Sequence, residues 1–243
     1  MAACNSIHSA NAASQPRAAL RESDAEVNVQ FAGLVDRQNA LGVEHLAEMH
    51  KQWLGPQGIF ATFGAEVERL GRQAPSLDER DGAVGESADA SRAEDVERAV
   101  AYALAQSNRR GAAVNPFSGS SREALCCVVF DESGGYTLVE RYAAYEAMRQ
   151  SDSDFFIKLI ATTRGVVERR IVFRGLLEHF DRLLPVEKSI YPHGYREIQR
   201  AHLEREEMLY GPLVLSDNLE VLLQTISPIQ LVEQVQSPVG SLP

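Results

Sequence analysis

The sequence predicts a mostly α-helical fold, a multi-helix bundle built from antiparallel helical hairpins. Apolar residues recur at three- and four-residue steps through most of the 243-residue chain, which is the spacing of an amphipathic helix. Ser, Asp and Pro lie where such runs begin, and Gly or Pro where they end, as helix caps and stops do. A hydrophobic content of 44% is sufficient for a substantial core.

The N-terminal tail, residues 1–23, is predicted to be disordered. Its first 21 residues are dominated by Ala, Ser and Asn, contain no acid, and offer too little apolar surface to offset the entropy lost on ordering. In composition, this segment is similar to the unstructured export signals of bacterial type III secretion substrates. The resemblance implies export without a cleavable signal peptide.

The first structured unit is predicted to be an antiparallel helical hairpin over residues 24–71. One long helix is expected from Asp24 to the stop at Gly55-Pro56, and a second from Ile59 to Gly71. The positions that define the stripes of the two helices are Phe31, Val35, Gly42, Leu46, Met49 and Trp53, and then Ile59, Phe60, Phe63, Val67 and Leu70.

A flexible acidic linker is predicted over residues 72–90, because this stretch is rich in Gly, Ala, Ser and acidic residues and has no apolar periodicity. A helical domain over residues 91–236 is expected to follow the linker. Its first helix has Ser91 as a candidate N-cap, Glu94 as the capping-box partner, and Gly111 as its stop.

The apolar run at residues 124–130, ALCCVVF, admits two interpretations. A cap at Ser120 or Ser121, and helical spacing from Tyr136 onward, favour a helix. The shortness of the run and its β-branched residues also fit a buried strand followed by a glycine turn. We predict a helix, with the strand as the open alternative.

The segment DESGG, Asp131 to Gly135, is predicted to be a turn between two helices. A degenerate EF-hand-like calcium loop is the alternative, because helix, acidic loop and helix is the EF-hand arrangement. Counted from Asp131, that loop needs oxygen ligands at positions 5 and 12 and Gly at position 6. The chain has Gly135, Tyr142 and Tyr136 there, so the turn is favoured.

The C-terminal half is predicted to contain five further helices or helical segments, separated by Gly and Pro. Ser227 is expected to cap the last one, with Pro228 at the first helical position and Gln230 completing a capping box. Helix starts are expected at Ser151–Asp154, Val166, Arg196, Ser216 and Ser227, interruptions at Gly165 and Pro185, and a loose tail over residues 237–243.

A cluster of arginines and an aromatic edge on a rigid turn are the candidates for contact with a partner. One helix is expected to place its basic residues on its outer face, where Arg174 can pair with Glu178. A solvated face without a ligand, or contact between the arginines and the acidic linker, are the alternatives. The candidate residues are Arg164, Arg169, Arg170, Arg174, Tyr191 and Tyr195.

Charge and spacing argue against several functional classes. The formal net charge of −10 repels polyanions, so general nucleic-acid binding is not expected. No run approaches the roughly 18 apolar residues of a membrane span. The N-terminus lacks the layout of a secretory signal, so the chain is predicted to be cytoplasmic, or exported without a cleavable signal. Recurrent nucleotide and zinc motifs are lacking, so no cofactor and no metal are expected.

These features favour a protein that binds another protein, an adaptor, and in a sharper form a bacterial secreted effector or secretion-associated protein. One alternative is an enzyme with a His/Asp site in the C-terminal helical domain, and the other is the calcium binder at Asp131. The residues that such an enzyme would draw on are His179, Asp181, His193 and His202.

Overall fold

The structure is a computed structural model that describes residues 24–77, 90–108, 113–163 and 168–236. These residues form eleven α-helices and two short 3-10 helices, without a strand, so the prediction of a mostly α-helical fold is confirmed. The tail over residues 1–23, most of the predicted linker, the Gly111 stop, Gly165 and residues 237–243 lie outside the described residues.

The α-helices follow one another with short connections over most of the described chain. In order they are α1 (Asp24–Asn39), α2 (Val43–Trp53), α3 (Ile59–Leu70), α4 (Ala90–Asn108), α5 (Arg122–Val129), α6 (Leu138–Ala161), α7 (Glu168–Arg182), α8 (Pro185–Lys188), α9 (Tyr195–Tyr210), α10 (Leu219–Thr225) and α11 (Pro228–Gln236). The 3-10 helices, Gly71–Gln73 and Pro75–Leu77, directly follow α3.

The long first helix predicted from Asp24 to Gly55-Pro56 is instead two helices, α1 and α2. The chain turns between them, where the Leu41 N–H donates to the Gln38 carbonyl at 3.0 Å. Gly42 is the N-cap of α2. A glycine in a helix interior costs about 1 kcal/mol relative to alanine, so a break at Gly42 removes an unfavourable position from the helix.

The ambiguous run at residues 124–130 is helical, because α5 spans Arg122–Val129. Ser121 is its cap, with the hydroxyl accepting from the Ala124 N–H at 3.2 Å. Nearly every side chain of α5 is buried, which is why the run shows no clear helical periodicity in the sequence.

The DESGG segment joins α5 to α6 as predicted, and Asp131 organises it. One carboxylate oxygen of Asp131 accepts from the Ser133 N–H at 2.9 Å, and the other accepts from the Tyr136 N–H at 2.9 Å. Both carboxylate oxygens of Asp131 therefore accept hydrogen bonds from the backbone of the connection between α5 and α6. Thr137 then caps α6 in a capping box with Glu140, whose carboxylate accepts from the Thr137 N–H at 2.8 Å.

The helix start predicted at Ser151–Asp154 is wrong, because α6 runs through it as one helix of 24 residues. The run contains no Gly or Pro. Asp152 accepts from the Arg122 guanidinium, and Asp154 accepts from the Gln150 side chain at 2.8 Å. These carboxylates are engaged with other side chains and do not cap a new helix.

One of three predicted boundaries near the C-terminus differs in the structure, and the other two are confirmed. The N-cap of α10 is Asn218 rather than Ser216, with its side chain accepting from the Val221 N–H at 3.0 Å. Pro185 stops α7 as expected but also begins the short helix α8. At α11, Ser227 accepts from the Gln230 N–H at 3.3 Å, and the Gln230 side chain accepts from the Ser227 N–H at 2.9 Å, which completes the predicted capping box.

Two groups of buried apolar side chains hold the helices together. The larger joins α1–α6 and α8, and includes Phe60, Phe63 and Phe117. The smaller joins the C-terminal part of α6 to α7, α10 and α11 around Leu159. Gly175 brings α7 close to α6 here, since a Cβ at this position would lie 2.6 Å from Leu159. None of the described helices is both long and apolar enough to cross a membrane.

Candidate functional site

Helices α7 and α9 pack against each other, and we call this pair of helices the arm. α9 packs against α7 and makes no comparable contact with any other described helix. The ring of His202 stacks on Phe173 with centroids 5.1 Å apart. At the start of α9, Arg196 donates two hydrogen bonds to the Asp181 carboxylate, at 2.5 and 2.8 Å. Contacts along the length of α9 therefore hold it at a fixed position on α7.

The arginine cluster predicted from the sequence belongs largely to this arm. Arg170 is buried, and its guanidinium donates to the Tyr210 carbonyl at 3.2 Å and to the Gly211 carbonyl. The prediction that Arg170 lies on an outer face is therefore wrong, because this side chain closes the C-terminal end of α9. Arg164 lies outside the described residues.

The other two predicted arginines of the cluster are exposed. Arg169 lies 3.7 Å from the carboxylate of Glu206 on α9. Arg174 donates to Glu178 at 2.6 Å, which confirms the predicted pair. Both guanidiniums have an acidic neighbour within the chain, so each would bring a weakened positive charge to a partner.

The predicted aromatic edge, Tyr191 and Tyr195, braces the connection between α8 and α9. Both rings lie against Phe180 of α7, with centroids at 5.3 and 5.1 Å, and against each other at 4.7 Å. Burial raises the pKa of both hydroxyls above the ordinary value of tyrosine. The pair is half-buried, so it supports the base of the arm and leaves part of each ring exposed.

The side of α9 that faces away from α7 is unusually apolar for a solvent-exposed surface. Successive residues of a helix turn by about 100° around its axis, so this side is centred opposite the buried Leu203. Ile198 is 49% exposed, Met208 80% and Leu209 64%. We call it the α9 outer face, and its residues are Glu197, Ile198, Ala201, Arg205, Met208 and Leu209, all exposed.

Sequence reasoning predicted α9 but missed this face. The signal was present, because Ile198, Ala201 and Met208 recur at helical spacing. In a sequence, such a stripe is ordinarily assigned to the core. The structure shows instead that Leu203, on the opposite side, is the one buried residue of α9.

A cleft of about 640 Å³ lies between α5, α6, α7 and α10, and His179 is in its wall. The imidazole packs against the rings of Phe155 and Phe156, at centroid distances of 5.8 and 4.6 Å. Its Nδ1 is 4.0 Å from the carboxylate of Asp152, which is too long for a hydrogen bond. The ring is therefore held by aromatic packing.

The four residues of the predicted enzyme site do not come together in one place. Asp181 lines both the cleft, with His179, and a groove beside α8, with His193. His179 and His193 do not share a cavity, and His202 stacks on Phe173. Asp181 is engaged by Arg196, and its hydrogen bond from that guanidinium lowers the pKa of its carboxyl. Over the described residues, no three His, Cys, Asp or Glu side chains are grouped so as to hold a metal ion.

Arg122 and Asp152, which both line the cleft, belong to a charge cluster centred on Arg122. Its guanidinium donates to Asp152 on α6 and, at 2.5 Å, to Glu187 on α8. Glu187 also accepts from the Leu184 N–H at 2.8 Å, and so caps α8. Burial lowers the pKa of Arg122, but the two carboxylates outweigh burial, and the pKa lies above its ordinary value. This cluster joins three helices and contributes mainly to structure.

Acidification should destabilise the fold through His179. Burial lowers the pKa of its imidazole from 6.5 to about 4, and Asp152 opposes this only in part. The unfolded chain then binds a proton between these two pH values that the folded chain does not bind. The free energy of unfolding therefore decreases as the pH falls from 6.5 to 4, by about 3 kcal/mol in total.

Urea unfolding at pH 7 and pH 4.5 measures this effect when wild type is compared with His179→Gln. The variant lacks the titrating ring, so its loss of stability between the two pH values should be smaller than that of wild type by about 2 kcal/mol. Equal losses of unfolding free energy in both proteins would contradict a lowered pKa of His179 in the folded chain. The comparison cancels groups common to both proteins, such as His50, whose pKa burial also lowers.

The sequence matches no protein-family model, and no curated protein or solved structure is significantly similar to it.

Proposed function

We propose that the protein binds another protein, as an adaptor does, and that the α9 outer face is the contact surface. The observation that carries this proposal is the exposure of Ile198, Met208 and Leu209 on one side of a helix whose other side packs on α7. Burial of a large apolar side chain that was exposed to water contributes about 1.5–3 kcal/mol. Three such side chains on one face are sufficient to anchor a helix or a shallow groove of a partner.

The rigidity of the arm supports the proposal. Arg170 of α7 donates to the backbone at the C-terminal end of α9, and Asp181 of α7 accepts from Arg196 at the beginning of α9. Between these two contacts, His202 of α9 stacks on Phe173 of α7. A surface that is already ordered loses little conformational entropy on binding, so more of the contact energy appears as affinity. Glu197 and Arg205 lie among the apolar residues and add charges that favour one orientation of a partner over others.

Affinity capture from a lysate of the source cells tests the proposal. The bait is the full chain, compared with Met208→Glu and with the matched control Val43→Glu, a change at a side chain on α2 that is 72% exposed. After chemical cross-linking in the lysate, which also preserves weak contacts, we expect wild type and the control to retain the same protein, and Met208→Glu to retain at least about tenfold less.

Circular dichroism of the two variants establishes that both are folded, as expected for changes at exposed positions. Retention that is equal for all three baits, or lost equally with both variants, would show that α9 is not the contact surface.

A further inference from the structure

We infer that the partner of the α9 outer face is a second copy of this chain, bound in antiparallel orientation about Ala201. The inference rests on the proposed function, since it uses the same surface. The arrangement of charges on that surface carries it, because the α9 outer face is complementary to itself in one relative orientation of two copies and not in the other.

The charges on the face lie symmetrically about Ala201. Glu197 is four residues before Ala201 and Arg205 is four residues after it, and both are exposed. With a rise of about 1.5 Å per residue, each lies about 6 Å along the axis from Ala201. In an antiparallel pair, Glu197 of one copy therefore meets Arg205 of the other, and the contact occurs twice. A parallel pair would place like charges together.

Two other charged residues of α9 do not belong to this contact. Arg200 and Glu204 line the crevice between α9 and α7, together with Asp181. The charged contacts of the antiparallel pair are therefore the two between Glu197 of one copy and Arg205 of the other.

The apolar residues also meet in this orientation. Ala201 lies at the crossing point, where a small side chain allows the two helix axes to approach closely. Side chains on a helix lean toward its N-terminus. In an antiparallel pair, Met208 of one copy and Ile198 of the other therefore lean toward each other across the contact. Both are exposed in the single chain, at 80% and 49%.

One pair of helices of 16 residues makes a small interface. Stable interfaces bury about 1,200–2,000 Å² in total, and a single helix pair lies at or below the lower end of this range. We therefore expect a reversible dimer with a dissociation constant of about 10–100 μM.

Sedimentation velocity of the full chain from about 1 to 200 μM tests the inference, with the variants Glu197→Arg and Arg205→Glu. Wild type should dimerise with increasing concentration, and each variant alone should dimerise at least about tenfold more weakly, because it opposes like charges twice. An equimolar mixture of the two variants should restore dimers, because the arginine introduced in one variant then meets the glutamate introduced in the other, and the native pair remains. Arg69→Glu, at an exposed position on α3, is the control and should behave as wild type.

The outcomes separate this inference from the proposed function. A wild-type chain that stays monomeric at about 200 μM overturns the second copy as the partner. If that monomer still captures a protein in a manner that depends on Met208, the proposed function stands with a different partner, and if it captures none, both fail. Dimers that the two charge variants do not weaken, or that their mixture does not restore, overturn the antiparallel α9 contact.

Discussion

Replacing Arg122 by Met is expected to lower the free energy of unfolding by about 3–5 kcal/mol. The guanidinium is buried and donates to two carboxylates, Asp152 and Glu187, of which Glu187 is itself buried. Met retains most of the length of the side chain but removes the charge. The two carboxylates are then left without their cation, and an uncompensated buried charge is among the costliest changes in a protein interior.

Urea unfolding at pH 7 measures the loss. Arg149→Met is the matched control, because Arg149 also donates to a carboxylate, that of Glu146 at 3.0 Å, but is 60% exposed. Exposed ion pairs contribute little, so the control should lose less than about 1 kcal/mol. Equal and small losses in both variants would show that water reaches Asp152 and Glu187 in the folded chain.

Neutralising the acids should recover part of the stability lost with Arg122. The triple variant Arg122→Met/Asp152→Asn/Glu187→Gln has no buried charge in the cluster, and the amide carbonyl that replaces the Glu187 carboxylate can still accept from the Leu184 N–H. We expect it to be more stable than Arg122→Met by at least about 1 kcal/mol, since removing both partners is less costly than removing one. A triple variant less stable than the single one would contradict this account of the cluster.

The fold class follows from local signals, because helical periodicity, caps and stops depend on near neighbours in the chain. Ser121, Ser227 and the Asp131 connection were identified in this way. The errors arise where a distant contact decides the outcome. The segment Ser151–Asp154 has the composition of a helix start. The carboxylate of Asp152 instead accepts from the guanidinium of Arg122, 30 residues away, and α6 continues through the segment.

The candidate site was less predictable than the fold. A cluster of basic residues in a sequence suggests an exposed patch, yet Arg170 turns inward to the end of α9, 40 residues away. An apolar stripe likewise suggests burial, yet the stripe through Ile198 and Met208 faces solvent. Periodicity shows that a helix has an apolar side, and only tertiary packing determines whether another element of the chain covers it.

Replacing Phe60 by Ala is expected to lower the free energy of unfolding by about 3–5 kcal/mol. Phe60 on α3 is fully buried, stacks on Tyr145 of α6 with centroids 4.7 Å apart, and meets Trp53 edge to face at 6.4 Å. Its neighbour Ile59 is 39% exposed, so Ile59→Ala is a matched control that should cost less than about 1 kcal/mol. Similar losses in both variants would contradict the packing of α3 described here.

A double-mutant cycle of Phe60→Ala and Tyr145→Ala extends this prediction to the organisation of the chain. The two rings belong to helices on opposite sides of the predicted linker at residues 72–90, and both contribute to the larger core. Residues in direct contact do not have additive effects, and a stacked aromatic pair contributes about 0.5–1.5 kcal/mol beyond its buried area. We expect a coupling energy in this range and one unfolding transition for α3 and α6. Additive losses with two separate transitions would show instead that residues 24–71 unfold independently of the helical domain.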